Sequence, residues 1–264
     1  MIREVAEKIR EKGKVVAFTG AGISQASGIP PFRGEKGLWE NYSPALYASV
    51  PGIISLYLLR PHSLSKFFLE ILKTIDQAKP NPAHEVLAHW EKKGLLKGII
   101  TQNIDNLHRL AGNKNVAELH GNIYYLRCPA CHRKIKISEE TLKEIKELLE
   151  KGGRRELARI YSLLTPLCKC GRKLRLWVVF FGESLPQEEW DKAVKMLEEA
   201  ETVLFLGTSG TVEPARSLPF TVKKEGALWI EINPTPTYFS SLVDYYLKGK
   251  VEEILPEIDR CLKI

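Results

Sequence analysis

No stretch of the 264 residues stays apolar for the roughly 18 to 20 positions that a membrane helix requires. The opening residues, "MIREVAEKIREKGK", lack the apolar segment of a secretory signal. Their charges are scattered, and Ile2, Val5, Ala6 and Ile9 fall on one helical face, so an amphipathic helix is expected there. Internal repeats and low-complexity tracts are also missing, and with 44% hydrophobic residues a sizeable core is expected rather than disorder. A soluble, cytoplasmic protein is the expectation. Two methionines amid abundant Lys and Glu point toward a thermophile.

Charge of one sign is never concentrated. The formal net charge is +7, but Lys and Arg alternate with Glu, as in "EETLKEIKELLEKGGRRELAR". That is the pattern of a solvated, salt-bridged surface, so direct nucleic-acid binding is not expected. Cysteine is scarce, with five residues. Four form two close pairs, Cys128/Cys131 and Cys168/Cys170, and without a secretory signal such pairs suggest metal before disulfide. Four thiolates suit a closed tetrahedral zinc site, although the second pair is C-x-C; a redox pair is the competing reading. Cys261 lies in an apolar helix and reads as a core residue.

The length allows one large domain, or a large one with a small satellite. Strand patterns appear in "KVVAFTG", "LLKGIITQN", "LRLWVVFFG", "TVLFLGTSG" and "ALWIEINPT". Helical spacing appears in "SLSKFFLEILKTIDQA", "PNPAHEVLAHWEKKG", "IDNLHRLAG", "QEEWDKAVKMLEEA" and "EEILPEIDRCLKI", and another helix is expected near Pro214. Alternation of strands and helices predicts an α/β fold with a doubly wound, Rossmann-like parallel sheet. The expected division is a Rossmann-like domain of 1–34, 85–124 and 176–264, a helical cofactor-loop segment of 35–84, and an inserted zinc-binding module of 125–175.

The first strand runs into "TGAGISQASG", where Gly20 and Gly22 occupy the first two positions of a G-x-G-x-x-G turn. Gln25 stands at the third position, and no second strand follows to carry a dehydrogenase's acidic residue. The loop therefore reads as a dinucleotide turn without dehydrogenase wiring, or as a tight turn only. Three further strand ends are polar or small: "TQNID", "GTSG" and Asn233. In an open α/β sheet such ends converge on a ligand crevice. Asn103 and Asp105 could grip a carboxamide there, or either could cap a helix. His108 reads as a packed or capping residue. His120, in "AELHGN", is the candidate general base.

In the order "GAGISQASGIPPFRG", "TQNID", "LHG", the cysteine pairs, "VVFFGE", "GTS" and Asn233, the chain resembles the sirtuins, NAD-dependent protein-lysine deacylases, over nearly its whole length. The resemblance implies that Gly20, Ala21 and Gly22 cradle the NAD pyrophosphate. Ile29 through Phe32 and Arg33 would belong to a closing cofactor loop. Gln102, Asn103, Ile104 and Asp105 would shape the nicotinamide pocket, with Asn103 and His120 catalytic. Gly207, Thr208, Ser209 and Asn233 would hold the adenosine half, with Val251 near the adenine. An acylated-lysine peptide would add as a strand near 182–186 and 207–211. NAD would act as the source of ADP-ribose. The acyl oxygen would attack the ribose as nicotinamide leaves, and His120 would take a ribose hydroxyl proton, giving free lysine and O-acyl-ADP-ribose.

Departures from the family pattern are Pro31, Leu176 and Trp177 in "RLW", and Glu213. They bear on substrate preference more than on the reaction. Family members that favour succinyl or malonyl groups carry Tyr-x-x-Arg in the acyl pocket. Counting back from "KPNPAH" puts the apolar "FLEI", Phe68 to Ile71, at that place, so deacetylation is expected, with longer apolar acyl groups as an extension. Desuccinylation or demalonylation through Tyr57 and Arg60 is one alternative, and protein ADP-ribosylation another. A monomer is expected.

Overall fold

The computed structural model describes all residues except 32–36, 223, 224 and 264. The chain forms two compact units: Met1–Pro31, Ala78–Leu119 and Leu185–Ile264 make the first, Phe32–Gln77 and His120–Ser184 the second. Nine strands lie among the described residues: β1 (Val15–Thr19), β2 (Leu96–Thr101), β3 (Val116–Glu118), β4 (Gly121–Arg127), β5 (Lys134–Lys136), β6 (Arg175–Val178), β7 (Thr202–Leu206), β8 (Leu228–Asn233) and β9 (Tyr245–Lys248).

In the first unit six strands make a sheet in the order β3-β2-β1-β7-β8-β9. Every adjacent pair is parallel. Both faces are buried because successive side chains point to opposite sides. Val15 and Ala17 of β1, with Leu204 and Leu206 of β7, enter a core shared with the helices Ile2–Lys12, Pro82–Lys92 and Val251–Leu262. Val16, Phe18, Val203 and Phe205 enter the other core, against helix Gln187–Glu199. The doubly wound α/β architecture is thus present. Helix Ile2–Lys12 buries Val5, Ala6 and Ile9, the face its spacing indicates. Helix Pro82–Lys92 starts on a capping box: Asn81 Oδ1 accepts the amide of Ala83, and His84 Nδ1 reaches back to the amide of Asn81. Cys261 is partly buried and packs against the core.

Three local readings change. The glycine turn after β1 opens a seven-residue 3-10 helix, Ala21–Ser27, ended by Gly28 at φ +88°. Near Pro214 there is only a 3-10 turn, Ala215–Ser217, and a four-residue helix, Leu218–Thr221. "LRLWVVFFG" yields a four-residue strand, β6, that pairs antiparallel with β4 and has no place in the parallel sheet.

The second unit holds the antiparallel sheet β5-β4-β6. The helices Val50–Leu59, Pro61–Gln77, Glu139–Lys151 and Arg154–Leu164 share one core, built on Leu56, Leu64, Ile145, Leu149, Leu157 and Ile160. The helical stretch after the glycine loop and the cysteine-bearing segment, treated separately in the sequence, therefore pack on each other. A smaller core of Leu126, Cys128, Ile137, Cys168 and Leu174 surrounds the cysteines.

Candidate active site

The strand order reverses at β1, whose neighbours are β2 and β7. In an open α/β sheet the crevice forms at such a switch point, beyond the carboxyl ends. Here the two loops leaving β1 and β7 touch. The amide of Gly20 donates to Leu206 O at 3.2 Å, and that of Gly22 to Gly207 O at 2.8 Å. A Cβ on Gly22 would stand 2.6 Å from Gly207 O, and one on Gly207, at φ +57°, would stand 2.4 Å from the amide nitrogen of Ile23. The glycines are needed for this backbone contact, whatever ligand lies above it. Ala21 and Ile29 are partly buried beside the turn. Phe32 and Arg33 lie outside the described residues.

β2 ends with Thr101, and "QNID" folds back under the glycine turn. Gln102 donates its amide to Thr19 O at 3.0 Å and its Nε2 to Thr208 Oγ1 at 2.9 Å. Asn103 is buried and commits both Nδ2 hydrogens, to Gly20 O and to Ser24 Oγ, each at 3.1 Å. Ser24 in turn donates to Asp105 Oδ2 at 2.7 Å, and Asp105 Oδ1 accepts the amide of Leu107 at 2.9 Å. Burial pushes the Asp105 carboxyl above its ordinary range, against the pull of these two bonds. Each of its oxygens retains room for a second donor. Ile104 is partly buried between Asn103 and Asp105.

His108 is a packed histidine. Its Nε2 lies 3.0 Å from Thr19 Oγ1, and its ring centroid is 4.9 Å from that of His84. Burial, His84 and Arg109 hold its titration well below the usual value, and burial alone lowers His84 to about 4. His84 Nε2 and His108 Nδ1 are both buried without a partner.

On the β7–β8 side, Thr208 is buried, Ser209 is exposed, and Asn233 Nδ2 donates to Thr208 O at 3.1 Å. Glu231, fully buried on β8, accepts the hydroxyls of Thr237 and Ser240, each at 2.5 Å, and so holds the loop after Asn233. Val251 opens the last helix with its side chain in the core. The first unit thus brings together Gly20–Gly22, Gln102–Asp105, Gly207–Ser209 and Asn233. Small residues and committed amides leave carboxylate, amide-oxygen and hydroxyl acceptors, a set that suits the amide N–H and ribose O–H donors of NAD.

In the second unit His120 directly precedes β4. Its carbonyl accepts the amide of Val179 at 3.0 Å. Gly121, at φ +83°, follows because a Cβ there would lie 2.1 Å from Trp177 O. The four paired cysteines converge at the other end of this unit. Cys128 Sγ lies 3.5 Å from Cys170 Sγ, Cys131 Sγ lies 3.6 Å from Cys168 Sγ, and all four sulfurs fall within 4.8 Å of one another. A tetrahedron with Zn–S bonds of about 2.3 Å has S···S edges of about 3.8 Å. The set therefore fits a structural zinc with no open position. Tight turns present the thiolates: His132 N bonds Cys128 O at 3.0 Å, and Gly171 N bonds Cys168 O at 2.8 Å.

Ser24 and Glu231 are the functional candidates that the sequence reading left without a role. Ser24 stands inside the glycine motif, and its position three residues before Ser27 gives no hint that it bridges Asn103 and Asp105. Glu231 reads as one polar position in an apolar strand; that mismatch was the available signal.

The family model described as "Sir2 family" matches residues 20–214. An NAD-dependent protein deacylase of Pyrococcus furiosus is 41% identical, covering 98% of this chain and 96% of that protein. An NAD-dependent protein deacetylase 1 of Pyrobaculum aerophilum is also 41% identical, over 97% of this chain and 92% of its own. Among solved structures, a Sir2 protein with deacetylated p53 peptide and 3'-O-acetyl ADP ribose superposes with a TM-score of 0.76 at 33% identity, covering 98% of this chain and 97% of that one. With the glycine turn, the "TQNID" network and the four-cysteine site all in place, the chain belongs to the Sir2 family.

Proposed function

We propose that this chain removes acetyl groups from protein lysine side chains, with NAD as co-substrate and nicotinamide and O-acetyl-ADP-ribose as products. The observation that carries the reading is the Asn103–Ser24–Asp105 network beneath the Gly20–Gly22 turn at the sheet's switch point. The buried amide holds the glycine turn and the buried carboxylate also takes the first amide of helix Leu107–Ala111, yet their remaining lone pairs present acceptors suited to the N–H of a carboxamide. NAD, when bound, supplies the ribose that accepts the acyl group.

The chain's residues then have separate tasks. Gly20, Ala21 and Gly22 give the pyrophosphate a close approach to main chain. Gln102, Asn103, Ile104 and Asp105 hold the carboxamide. Gly207, Thr208, Ser209 and Asn233 serve the adenosine half, with the main chain at Val251 beside it, and Ile29, Phe32 and Arg33 belong to the covering loop. His120 accepts the proton from the ribose hydroxyls, a task suited to a side chain that ordinarily titrates near neutrality. The partner is an acyl-lysine segment that pairs its main chain with 182–186 and 207–211. Cys128, Cys131, Cys168 and Cys170 hold zinc for structure. Among the described residues no helix is long and apolar enough to cross a membrane.

Acetyl preference is supported by the side chains on helix Pro61–Gln77. Phe68 packs apolar against the helical core, and Tyr57 is packed in that same core, while Arg60 is exposed at the end of helix Val50–Leu59. A peptide panel tests this: acetyl-lysine should turn over faster than succinyl-lysine, with one nicotinamide released per acetyl removed. Faster succinyl turnover overturns the acetyl assignment. Labelled ADP-ribose accumulating on protein, with no acyl loss, overturns deacylation.

A further inference from the structure

Arg175 and Glu183 stand at the two ends of "RLWVVFFGE". Their side chains close that segment. Arg175 Nη1 donates to Glu183 Oε1 at 2.7 Å and Nη2 to Oε2 at 2.8 Å, the two-bond fork that gives an Arg–carboxylate pair its directional strength. Both side chains also grip the backbone between them: Arg175 Nη2 donates to Val178 O at 3.2 Å, and Glu183 Oε2 accepts the amide of Phe180 at 3.0 Å. The neighbouring amides are committed outward from the loop. Val179 N donates to His120 O at 3.0 Å, and Phe181 N to Ala48 O at 2.7 Å.

An isolated surface ion pair contributes little, because water screens it and two long side chains must be ordered. This pair differs in being bidentate, tied to main chain, and shielded on the Glu183 side, which is 25% exposed. Burial works to raise the Glu183 carboxyl, but Arg175 and the Phe180 amide outweigh it and hold it below the ordinary range. Beyond β6 the main chain has only single pairings, Val179 with His120 and an isolated parallel bridge between Phe181 and Ser49, and the fork braces the segment between them.

We infer that Arg175 and Glu183 are positioning residues for the reaction: the fork fixes the 178–182 loop, and through the Val179–His120 bond it fixes the main chain that carries the imidazole. The inference rests on the function proposed above. The same loop leads into 182–186, where the acyl-lysine strand is expected to pair, so the brace serves peptide binding and base placement together.

The test uses Glu183→Gln, Arg175→Lys and the double variant of the full zinc-loaded protein. Gln keeps the shape and loses the charge; Lys keeps the charge and loses the fork. Peptide KM should rise about tenfold in Glu183→Gln and kcat should fall, with the KM for NAD unchanged. The double variant should be no worse than the worse single one, as expected for partners in one interaction. Hydrogen exchange, which does not depend on activity, should show lost protection at the amides of Val179, Phe180 and Phe181. Unchanged exchange there in both single variants overturns the brace, and so does a KM for NAD that rises in step with that for peptide. Wild-type protein without deacylase activity overturns the proposed function instead, and exchange alone then judges the brace.

Discussion

Ser24 donates to one buried polar group, Asp105, and accepts from another, Asn103. Ser24→Ala removes both bonds without changing the shape of the turn, and a buried group left unsatisfied costs about 1–3 kcal/mol. Displacing Asn103 and Asp105 by even a fraction of an ångström should lower kcat/KM for NAD by about 10- to 100-fold. Steady-state kinetics check this, with zinc content as the control for folding; wild-type kinetics in the variant contradict the network's role. His84 and His108 supply a second residue-level prediction. Both have folded titrations below the unfolded value, so the unfolded chain takes up protons first as pH falls. Their contribution to stability is therefore complete above pH about 6.5 and declines below it, by up to about 1.4 kcal/mol per pH unit for each histidine. For His84 the decline ends near its folded value of about 4. Asp105, raised by burial, has the opposite sign: its contribution is present at low pH and lost as pH rises through its folded value. Denaturant unfolding at pH 7, 6 and 5 should show falling stability; a flat profile contradicts buried neutral histidines.

At the scale of elements, the cysteine turns depend on metal. Their surrounding core is small, resting on Leu126, Ile137 and Leu174 besides the two buried cysteines. Four thiolates held this close repel unless a cation lies between them. Chelation, or Cys128→Ser, should release about one zinc per chain, unfold β4–β5 and the cysteine turns, and abolish activity. Zinc analysis with circular dichroism and assay tests this, and full activity in zinc-free protein contradicts it. Elements with strong periodicity were legible in the sequence: Ile2–Lys12 through Val5, Ala6 and Ile9, and β1 and β7 through unbroken apolar runs. β6 was legible as a strand but not in its pairing, because a short apolar run has no direction written in it. Its antiparallel pairing with β4 is fixed by partners about fifty residues away in sequence, among them Leu126 opposite Leu176. β3 and β9 are edge strands of three and four residues, too short to show a period.

For the whole molecule, the strand ends that would form a crevice were legible as polar or small residues after apolar runs, because a parallel sheet puts its chemistry there. The sequence also showed the four thiolates as two pairs. What it hid were contacts between distant residues: the glycine turn pressed against Gly207, Ser24 between Asn103 and Asp105, and the Arg175–Glu183 fork. These depend on which loops meet, and spacing along one chain does not report that. The central claim, deacylation with His120 as base, is tested most directly by mass spectrometry of an acetyl-lysine peptide incubated with NAD and either wild-type protein or His120→Ala, with NAD binding measured on both. Deacetylation with His120 as base requires deacetylated peptide and O-acetyl-ADP-ribose in equal amounts from the wild type, and NAD binding without turnover in the variant. Undiminished deacetylation by His120→Ala, or no deacetylation by a wild type that binds NAD, would contradict it.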